Sequence, residues 1–180
     1  MATQQTYDAI VIGASTAAVS RLCPALAQAG WKTALIEREH VGGTCVNVGC
    51  MPTKTMVASA RVAYLARRAA DYGITTAPVT VDMARVRQRK QDLVSGIRGF
   101  AEGLIEKAEG VDLFRGEASF TGPKSVEVRL HDGGIQQLTA DTLLLTLAPD
   151  QEGPPYQGWR ACRRWIPPRL WSWTLSPNTC

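Results

Sequence analysis

The first third of the chain alternates short apolar runs with an alanine-rich stretch. Residues 7–13 form a β-branched run that ends in glycine, and residues 33–37 form a second apolar run that ends in an acid. Between them, an alanine-rich segment extends to Ala29 and stops at Gly30. Apolar runs of this length predict strands, and the segment between them predicts a helix. Such a unit normally forms two parallel strands joined by a right-handed crossover.

The middle of the chain has helical periodicity. Residues 54–71 and residues 81–108 predict two long helices. In the second helix, seven apolar residues recur at helical spacing and predict one buried stripe on a scaffold helix. These residues are Met83, Val86, Leu93, Ile97, Phe100, Leu104 and Ile105.

The following part changes to an alternating period. Residues 111–114, 125–130 and 135–139 predict strands, and residues 131–134 predict the hairpin turn between the last two. Residues 141–145 form a continuous apolar run, which is typical of a strand buried on both faces. This order of elements predicts an α/β fold with a small antiparallel β insertion.

The chain changes character after residue 146. Four of the five tryptophans and six of the ten prolines lie in residues 147–180, without a helical or alternating period. We therefore divide the chain into a domain of residues 1–146 and an irregular, non-native-looking tail of residues 147–180. The tail is not expected to continue the same domain.

Composition excludes several classes of function. The chain has 180 residues, of which 45% are hydrophobic and 20% are charged, enough for one packed domain. A net charge of +4 is too weak and scattered to predict a nucleic-acid partner. No apolar run is long enough to span a membrane, and the polar N-terminus does not resemble a signal peptide. We expect a cytoplasmic protein whose five cysteines do not form a disulfide framework.

The strongest chemical signal is the glycine-rich segment at residues 42–54. Its two cysteines, Cys45 and Cys50, lie on a turn predicted to enter a helix, where a small disulfide ring can close and a helix N-terminus stabilises a thiolate. Such a pair suits thiol–disulfide exchange, in which one sulfur attacks and the other resolves. The alternatives are incidental cysteines and a zinc site with His40. Because a convincing fourth zinc ligand is lacking, we predict no metal centre.

This segment resembles the redox-active segment of the flavoprotein disulfide reductases, the family that includes dihydrolipoamide dehydrogenase, glutathione reductase and mercuric reductase. Two cysteines, three glycines, a proline and a lysine stand in a fixed order within thirteen residues. The resemblance extends from Tyr7 to Leu145. Thr53 and the run at residues 55–61 point toward the mercuric-reductase-like branch. The implied fold is the N-terminal part of an FAD-binding Rossmann-like domain.

The resemblance implies an FAD-dependent oxidoreductase that uses NAD(P)H and reduces a small-molecule disulfide or Hg(II). Cys50 would be the thiol that faces the flavin, and Cys45 would be the interchange thiol that attacks the substrate. Lys54 would place a cation beside the reactive edge of the flavin ring, and Gly43 with Thr44 would contact the flavin and its diphosphate. Electrons would pass from the nicotinamide through FAD to the disulfide and then to the substrate.

The turn after the first strand departs from the dinucleotide fingerprint G-x-G-x-x-G. Gly13 retains the tight turn, but Ser15 stands where glycine lets the backbone approach the diphosphate, and Ala18 stands where the helix packs closely on the strand. We expect Ser15 to weaken FAD binding. Glu37 retains the acid that binds the ribose hydroxyls, with a solvated glutamate as the alternative. Ala118 is predicted to make a backbone contact with adenine or to be a plain hairpin residue.

The resemblance also bears on the tail. In the family, the last strand leads into a Thr-Gly-Ala turn that closes over the flavin, whereas here a Thr-Leu-Ala sequence follows Leu145. Restoring one lost base after Leu145 allows residues 146–180 to be read as a peptide that begins Asn-Thr-Gly-Ala. Tryptophan has a single codon, so the pairs Trp165-Ile166 and Trp173-Thr174 each force Asp in the shifted frame, and both fit. We therefore expect a frameshift-derived tail, which the coding DNA can test.

Finally, the resemblance implies that the chain is the N-terminal part of a longer, homodimeric enzyme. The nicotinamide-binding domain, the interface domain and a C-terminal histidine would then be missing, so we expect no full turnover by this chain alone. Two alternatives stay open: a non-catalytic remnant without flavin, and a thiol-based metal or redox sensor. The substrate and the choice between NADH and NADPH are properties of regions that this sequence does not contain.

Overall fold

Five strands form a mixed sheet in residues 4–147, the part of the chain that the computed structural model describes. Parallel pairing in the order β3, β2, β1, β5 confirms the parallel unit predicted at the start of the chain. The predicted tail lies outside the described residues, apart from Leu147. The strands are β1 (Gln4–Ile12), β2 (Thr33–Glu37), β3 (Val111–Gly122), β4 (Ser125–Leu130) and β5 (Ile135–Leu145).

The carboxyl ends of the parallel strands meet at one edge of the sheet. Ile12 of β1 pairs with Ile36 on one side and with Leu145 on the other, and Glu37 pairs with Arg115 of β3. The loops that leave these strand ends are therefore neighbours in space. Open α/β sheets bind their ligands at this edge.

Two long strands, β3 and β5, each take part in parallel and antiparallel pairing. At Gly116, β3 leaves β2 and pairs with β4, and β4 pairs with the first half of β5. These contacts confirm the predicted antiparallel insertion and its hairpin turn at residues 131–134. Each strand has two hydrogen-bonded neighbours, so the five close into a ring.

Helices cover one face of the parallel sheet, and the antiparallel strands cover the opposite face. The longest, α4, begins after Asp82, whose carboxylate accepts hydrogen bonds from the amides of Ala84 and Arg85 at 2.9 and 3.1 Å. This N-cap satisfies amides that have no partner within the helix. Among residues 4–147, no helix combines the length and the apolar character that a bilayer crossing requires. The helical elements are a π-helical turn (Ala18–Leu22), α1 (Cys23–Gln28), α2 (Gly43–Asn47), α3 (Cys50–Arg67), a 3₁₀ turn (Ala69–Tyr72) and α4 (Met83–Glu106).

Two apolar clusters pack on opposite faces of the parallel sheet. The first lies between this sheet and the antiparallel strands and includes Ile10, Ile36 and Leu138. The second lies between the sheet and the helices and includes Leu35 and Ile105. Because successive strand residues point to opposite faces, β1 and β2 contribute to both clusters and hold the sheet edge in a fixed position.

Cys23 belongs to the second cluster and is fully buried. Burial raises the pKa of its thiol to about 11. A thiol that stays protonated at neutral pH is a poor nucleophile, so Cys23 acts as a small apolar residue in the core.

The buried face of α4 differs from the predicted stripe. Phe100 is 70% exposed, and Met83 and Leu104 are also exposed, whereas Lys90 and Val94 are buried. The prediction was therefore wrong for three of its apolar positions. α4 packs against α3 as well as against β3, and these neighbours select a line of residues displaced around the helix. Long polar side chains on that line can bury their aliphatic stems.

The end of β5 is less buried than predicted. Leu143 and Leu144 are half-buried and Leu145 is exposed. In the described part of the chain, residues 142–145 pair with β1 on one side and lie at a sheet edge on the other. Leu143 packs on the first apolar cluster and Leu144 on the second, so both faces of this segment are partly covered, and the prediction was wrong for the exposed Leu145.

We expect Gly116→Ala to destabilise the fold. A Cβ at this position would lie 2.3 Å from the carbonyl oxygen of Arg129, so β3 and β4 would have to separate. The expected loss in the free energy of unfolding is on the order of 1–3 kcal/mol, measured by urea denaturation.

Gly99→Ala provides the matched control for that measurement. Gly99 lies in α4 with open space around its Cβ position, where alanine is about 0.5–1 kcal/mol more favourable than glycine. Equal stabilities of the two variants would contradict the packing of β3 on β4.

Candidate functional site

The turn after β1 lies at the carboxyl edge of the parallel sheet. Its first residue, Gly13, has a φ of +96°, and its amide donates to the carbonyl of Ile36 at 2.8 Å. The hydroxyl of Thr146 donates to the carbonyl of Gly13, and a Cβ on Gly13 would lie 3.0 Å from the carbonyl oxygen of Thr146. Both the φ angle and the crowding therefore require glycine, as predicted for the tight turn.

Glu37 is oriented toward this turn. One carboxylate oxygen accepts from the amide of Ala14 at 2.7 Å, and the other accepts from the amide of Glu39 at 2.8 Å. The neighbouring side chain of Arg38 forms an exposed ion pair with Glu39. The carboxylate is thus fixed at the end of β2, and lone pairs remain on both oxygens for further donors.

Ser15 and Ala18 lie in the same turn. The Ser15 hydroxyl oxygen accepts from the amide of Ala18 at 3.2 Å, and Ala18 itself is fully buried. A serine hydroxyl that accepts from an amide three positions further on is an N-cap, which satisfies one of the amides at the start of a helix. Ser15 thereby satisfies an amide at a helix N-terminus, the end of a helix that attracts anionic groups.

The turn that follows β2 joins the turn after β1 by backbone contacts. The amide of Gly42 donates to the carbonyl of Ala14 at 2.7 Å, a single parallel β-bridge links Ser15 with Gly42, and the Thr16 hydroxyl donates to the carbonyl of Gly42 at 2.9 Å. Gly43 has a φ of +60°, and a Cβ on it would lie 3.2 Å from Cα of Ser15. We call these contacts the turn junction.

The two cysteines lie directly beyond the turn junction. Cys45 is half-buried in α2, and Cys50 is exposed at the first position of α3. Between them, the amides of Val48 and Gly49 both donate to the carbonyl of Thr44, at 3.0 and 2.7 Å. This tight turn brings the two thiols within hydrogen-bonding contact, with both sulfurs in the free thiol state.

The electrostatics of the pair are asymmetric. The pKa of the Cys45 thiol lies above its ordinary value, first because of its hydrogen bond with the Cys50 side chain and then because of partial burial and the Coulombic effect of Cys50. The positive charge of Lys54 acts in the opposite direction. Cys50 lies at the N-terminus of the 18-residue helix α3, where the macrodipole favours negative charge. The two sulfurs therefore act as one coupled dithiol.

The structure brings most of the predicted site residues together, but Ala118 is separate. Nine of the predicted residues lie at the end of β2, in the two turns of the junction or in the helices that follow these turns. They are Gly13, Ser15, Ala18, Glu37, Gly43, Thr44, Cys45, Cys50 and Lys54. Ala118 lies in β3, pairs with Val128 of β4, and packs its side chain on the first apolar cluster. Any cofactor contact of Ala118 would therefore use its backbone.

Two polar residues of the site were not predicted from the sequence. Asn47 lies between the cysteines and contacts three backbone carbonyls, and Arg98 of α4 donates to it. Asn47 lies inside the cysteine segment itself, so its polar side chain could have been recognised from the sequence as part of the site. Arg98 is 51 positions away and carries no such signal.

The zinc alternative combined His40 with the two cysteines. Within residues 4–147, no group of three or more His, Cys, Asp or Glu side chains is placed to hold a metal ion. His40 lends its backbone carbonyl to the side chain of Asn47.

The fold and the two turns define a Rossmann-like nucleotide-binding domain with an adjoining dithiol. Residues 7–157 match the sequence profile described as pyridine nucleotide-disulphide oxidoreductase. The chain therefore belongs to that family, whose members use FAD and NAD(P)H. The family resemblance inferred from the cysteine segment is confirmed.

Two curated relatives illustrate the range of the family. A mercuric reductase from Staphylococcus aureus is 37% identical over 154 residues, which cover 84% of this chain and 27% of the relative. A dihydrolipoyl dehydrogenase from Bacillus subtilis is 37% identical over 123 residues, which cover 68% of this chain and 25% of the relative. The chain thus spans about a quarter of the length of these two proteins.

A solved structure shares the fold. The HOCl-induced flavoprotein disulfide reductase RclA from Escherichia coli, determined as a Cu(II) complex, is 29% identical with a TM-score of 0.69. The match covers 86% of this chain and 31% of that protein. This similarity agrees with the α/β architecture of a flavoprotein FAD-binding domain.

We expect Lys54→Met to slow alkylation of Cys45. Because the charge of Lys54 lowers the pKa of Cys45, its removal raises that pKa further and leaves less thiolate at pH 8. A screened charge pair of this kind is worth roughly a two- to fivefold change in rate. Peptide mapping after iodoacetamide treatment at several pH values measures the labelling of Cys45, and the profile should move to higher pH.

Lys54→Arg and Arg61→Met are the controls for this experiment. The first keeps a positive charge, and the second removes an exposed charge two turns further along α3. Both should retain the original profile. An unchanged profile for Lys54→Met would show that Lys54 does not act on Cys45.

Proposed function

We propose that this chain binds FAD at the carboxyl edge of its parallel sheet and uses Cys45 and Cys50 as a dithiol that exchanges electrons with the flavin. The turn junction is the observation that carries the proposal. It fixes the predicted dinucleotide loop and the turn leading to Cys45 against each other through backbone contacts. Membership of an FAD-using oxidoreductase family supports the same assignment.

Three features of the site fit a bound dinucleotide. Gly13 and Gly43 keep their positions free of side chains where the backbones crowd, and a Cβ on either would contact backbone atoms at 3.0–3.2 Å. Glu37 stands at the end of β2 with acceptor capacity left on its carboxylate, the position from which an acid binds ribose hydroxyls. We assign these residues to FAD binding, together with Ser15, Ala18, Thr44 and the backbone of Ala118.

FAD, when bound, would supply a two-electron carrier between a nicotinamide and the cysteine pair. The chain's own residues carry the thiol chemistry. As thiolate, Cys45 attacks one sulfur of a substrate disulfide and releases the other sulfur as a thiolate that takes up a proton. Cys50, as thiolate, then attacks Cys45, forms the Cys45–Cys50 disulfide and releases the second substrate thiol. Two electrons thus pass from the dithiol to the substrate.

The substrate class is part of this proposal. The assignment of Cys45 as the attacking thiol and Cys50 as the flavin-facing thiol rests on the family resemblance. Both a small-molecule disulfide and Hg(II) suit two adjacent thiolates, and relatives include both mercuric reductases and dihydrolipoyl dehydrogenases. We also propose a cytoplasmic location, because thiols stay reduced in that compartment. Self-association of the whole protein is proposed from the family resemblance.

Flavin binding by the original chain and by two variants at position 15 tests the proposal. Ser15→Gly should bind FAD about two- to tenfold more tightly than the original chain, because it frees the amide of Ala18, a gain the size of one hydrogen bond. Ser15→Ala also frees this amide but retains Cβ, and should bind with intermediate affinity. Quenching of flavin fluorescence during titration measures all three.

The outcomes separate the alternatives. Absence of FAD binding by all three folded chains would overturn the flavoprotein proposal in favour of a remnant or a sensor. Equal affinities for the three would show that the phosphates do not approach position 15.

A further inference from the structure

The side chain of Asn47 donates hydrogen bonds to backbone carbonyl groups of the turn that leads to Cys45. Its Nδ2 lies 2.9 Å from the carbonyl oxygen of Gly43, 3.1 Å from that of Val41 and 3.3 Å from that of His40. A carboxamide has two N–H donors for these three acceptors, so at least one donor is shared between two carbonyls. The turn preceding the first cysteine is therefore folded around the side chain of Asn47.

Arg98 fixes the orientation of that carboxamide. Its Nε donates to Oδ1 of Asn47 at 2.8 Å. A guanidinium group has no acceptor, so the oxygen of the carboxamide faces Arg98 and the Nδ2 group faces the carbonyls. Because Arg98 belongs to the 24-residue helix α4, the contact ties the dithiol turn to a long helix of the scaffold.

The single-turn helix α2 depends on such support. It has five residues, too few for a helix that is stable alone, and its first residue has a positive φ. The turn junction holds its beginning, and the amides of Val48 and Gly49 close its end on Thr44. Asn47 and Arg98 add the attachment on the side of α4.

Arg98 acts on the cysteines through this attachment. Within the part of the chain that the structure describes, the hydrogen bond from Nε of Arg98 to Asn47 is its polar contact with the dithiol turn. Its influence must therefore pass through Asn47 and the backbone of α2. This is the behaviour of a residue that controls distance and orientation.

We propose that Asn47 and Arg98 are positioning residues that hold Cys45 at the separation from which it pairs with Cys50. This inference rests on the proposed dithiol function. Two thiols held close together have a high effective concentration for each other, which favours their disulfide. With oxidised glutathione as the oxidant, the dithiol gives up two electrons and two protons, forms the Cys45–Cys50 disulfide and yields two molecules of glutathione.

The test is the equilibrium between the full-length chain and mixtures of reduced and oxidised glutathione. Peptide mapping quantifies the Cys45–Cys50 disulfide separately from the other cysteines. Arg98→Met removes the donor and keeps the aliphatic stem, and Asn47→Asp keeps the acceptor for Arg98 but places a carboxylate oxygen against the three carbonyls. Each should shift the equilibrium toward the dithiol by about tenfold, the effect of one hydrogen bond to a charged group.

Two further variants serve as controls for this test. Arg98→Lys retains a donor and should recover part of the shift. Arg89→Met is the matched control, because Arg89 of α4 donates to the carbonyl of Thr55 and the hydroxyl of Ser59 in α3, whereas Arg98 donates to Asn47 in α2. It should lower the urea midpoint without changing the glutathione equilibrium. If Asn47→Asp does not fold, the positioning role is tested by comparing the glutathione equilibrium of Arg98→Met with that of Arg89→Met.

The outcomes distinguish this inference from the function on which it rests. If the original chain forms no Cys45–Cys50 disulfide, the proposed dithiol function fails. If that chain forms the disulfide and Arg98→Met has the same equilibrium constant, the positioning role is overturned while the dithiol function stands. A double variant of Asn47 and Arg98 that shifts the equilibrium no further than either single variant would support action as a unit.

Discussion

The site depends on the contact between two turns at the carboxyl edge of the sheet. The amide of Gly42 reaches the carbonyl of Ala14, and Gly43 lies against Cα of Ser15 with no room for a side chain between them. These contacts fix the start of α2, and α2 carries Cys45. Parallel pairing of β1 with β2 makes the contact possible, because it brings both strand ends to the same edge.

The chemistry of the dithiol follows from this placement. Cys45 and Cys50 contact each other, and Lys54 and the N-terminus of α3 favour negative charge nearby. The buried Cys23 provides the contrast, since its thiol has no such neighbours and stays protonated in the apolar core. The accessible sulfurs are therefore those of the dithiol turn, where the charge of Lys54 offsets part of the rise in the pKa of Cys45 that its hydrogen bond with Cys50 produces.

Local patterns predicted much of the fold and of the site. The alternating and β-branched runs gave the bounds of β2 and β4 as the structure has them, because β2 ends at an acid and β4 is followed by the polar, glycine-containing turn at residues 131–134. The spacing of Cys45 and Cys50 predicted a dithiol turn, since both residues lie within one segment. The exposure of Phe100 and Leu145 was not predictable, because it depends on neighbours that are distant in sequence. The same limit explains why Arg98 was missed: its partner Asn47 lies on another element.

The central claim is that this dithiol faces a flavin bound at the sheet edge. The most direct measurement is the absorbance spectrum of the FAD-loaded chain during mild reduction, compared with its Cys45→Ser and Cys50→Ser variants. The account predicts a long-wavelength charge-transfer band between the Cys50 thiolate and the flavin. This band should persist without Cys45 and disappear without Cys50. A flavin spectrum that is the same in all three proteins would contradict it.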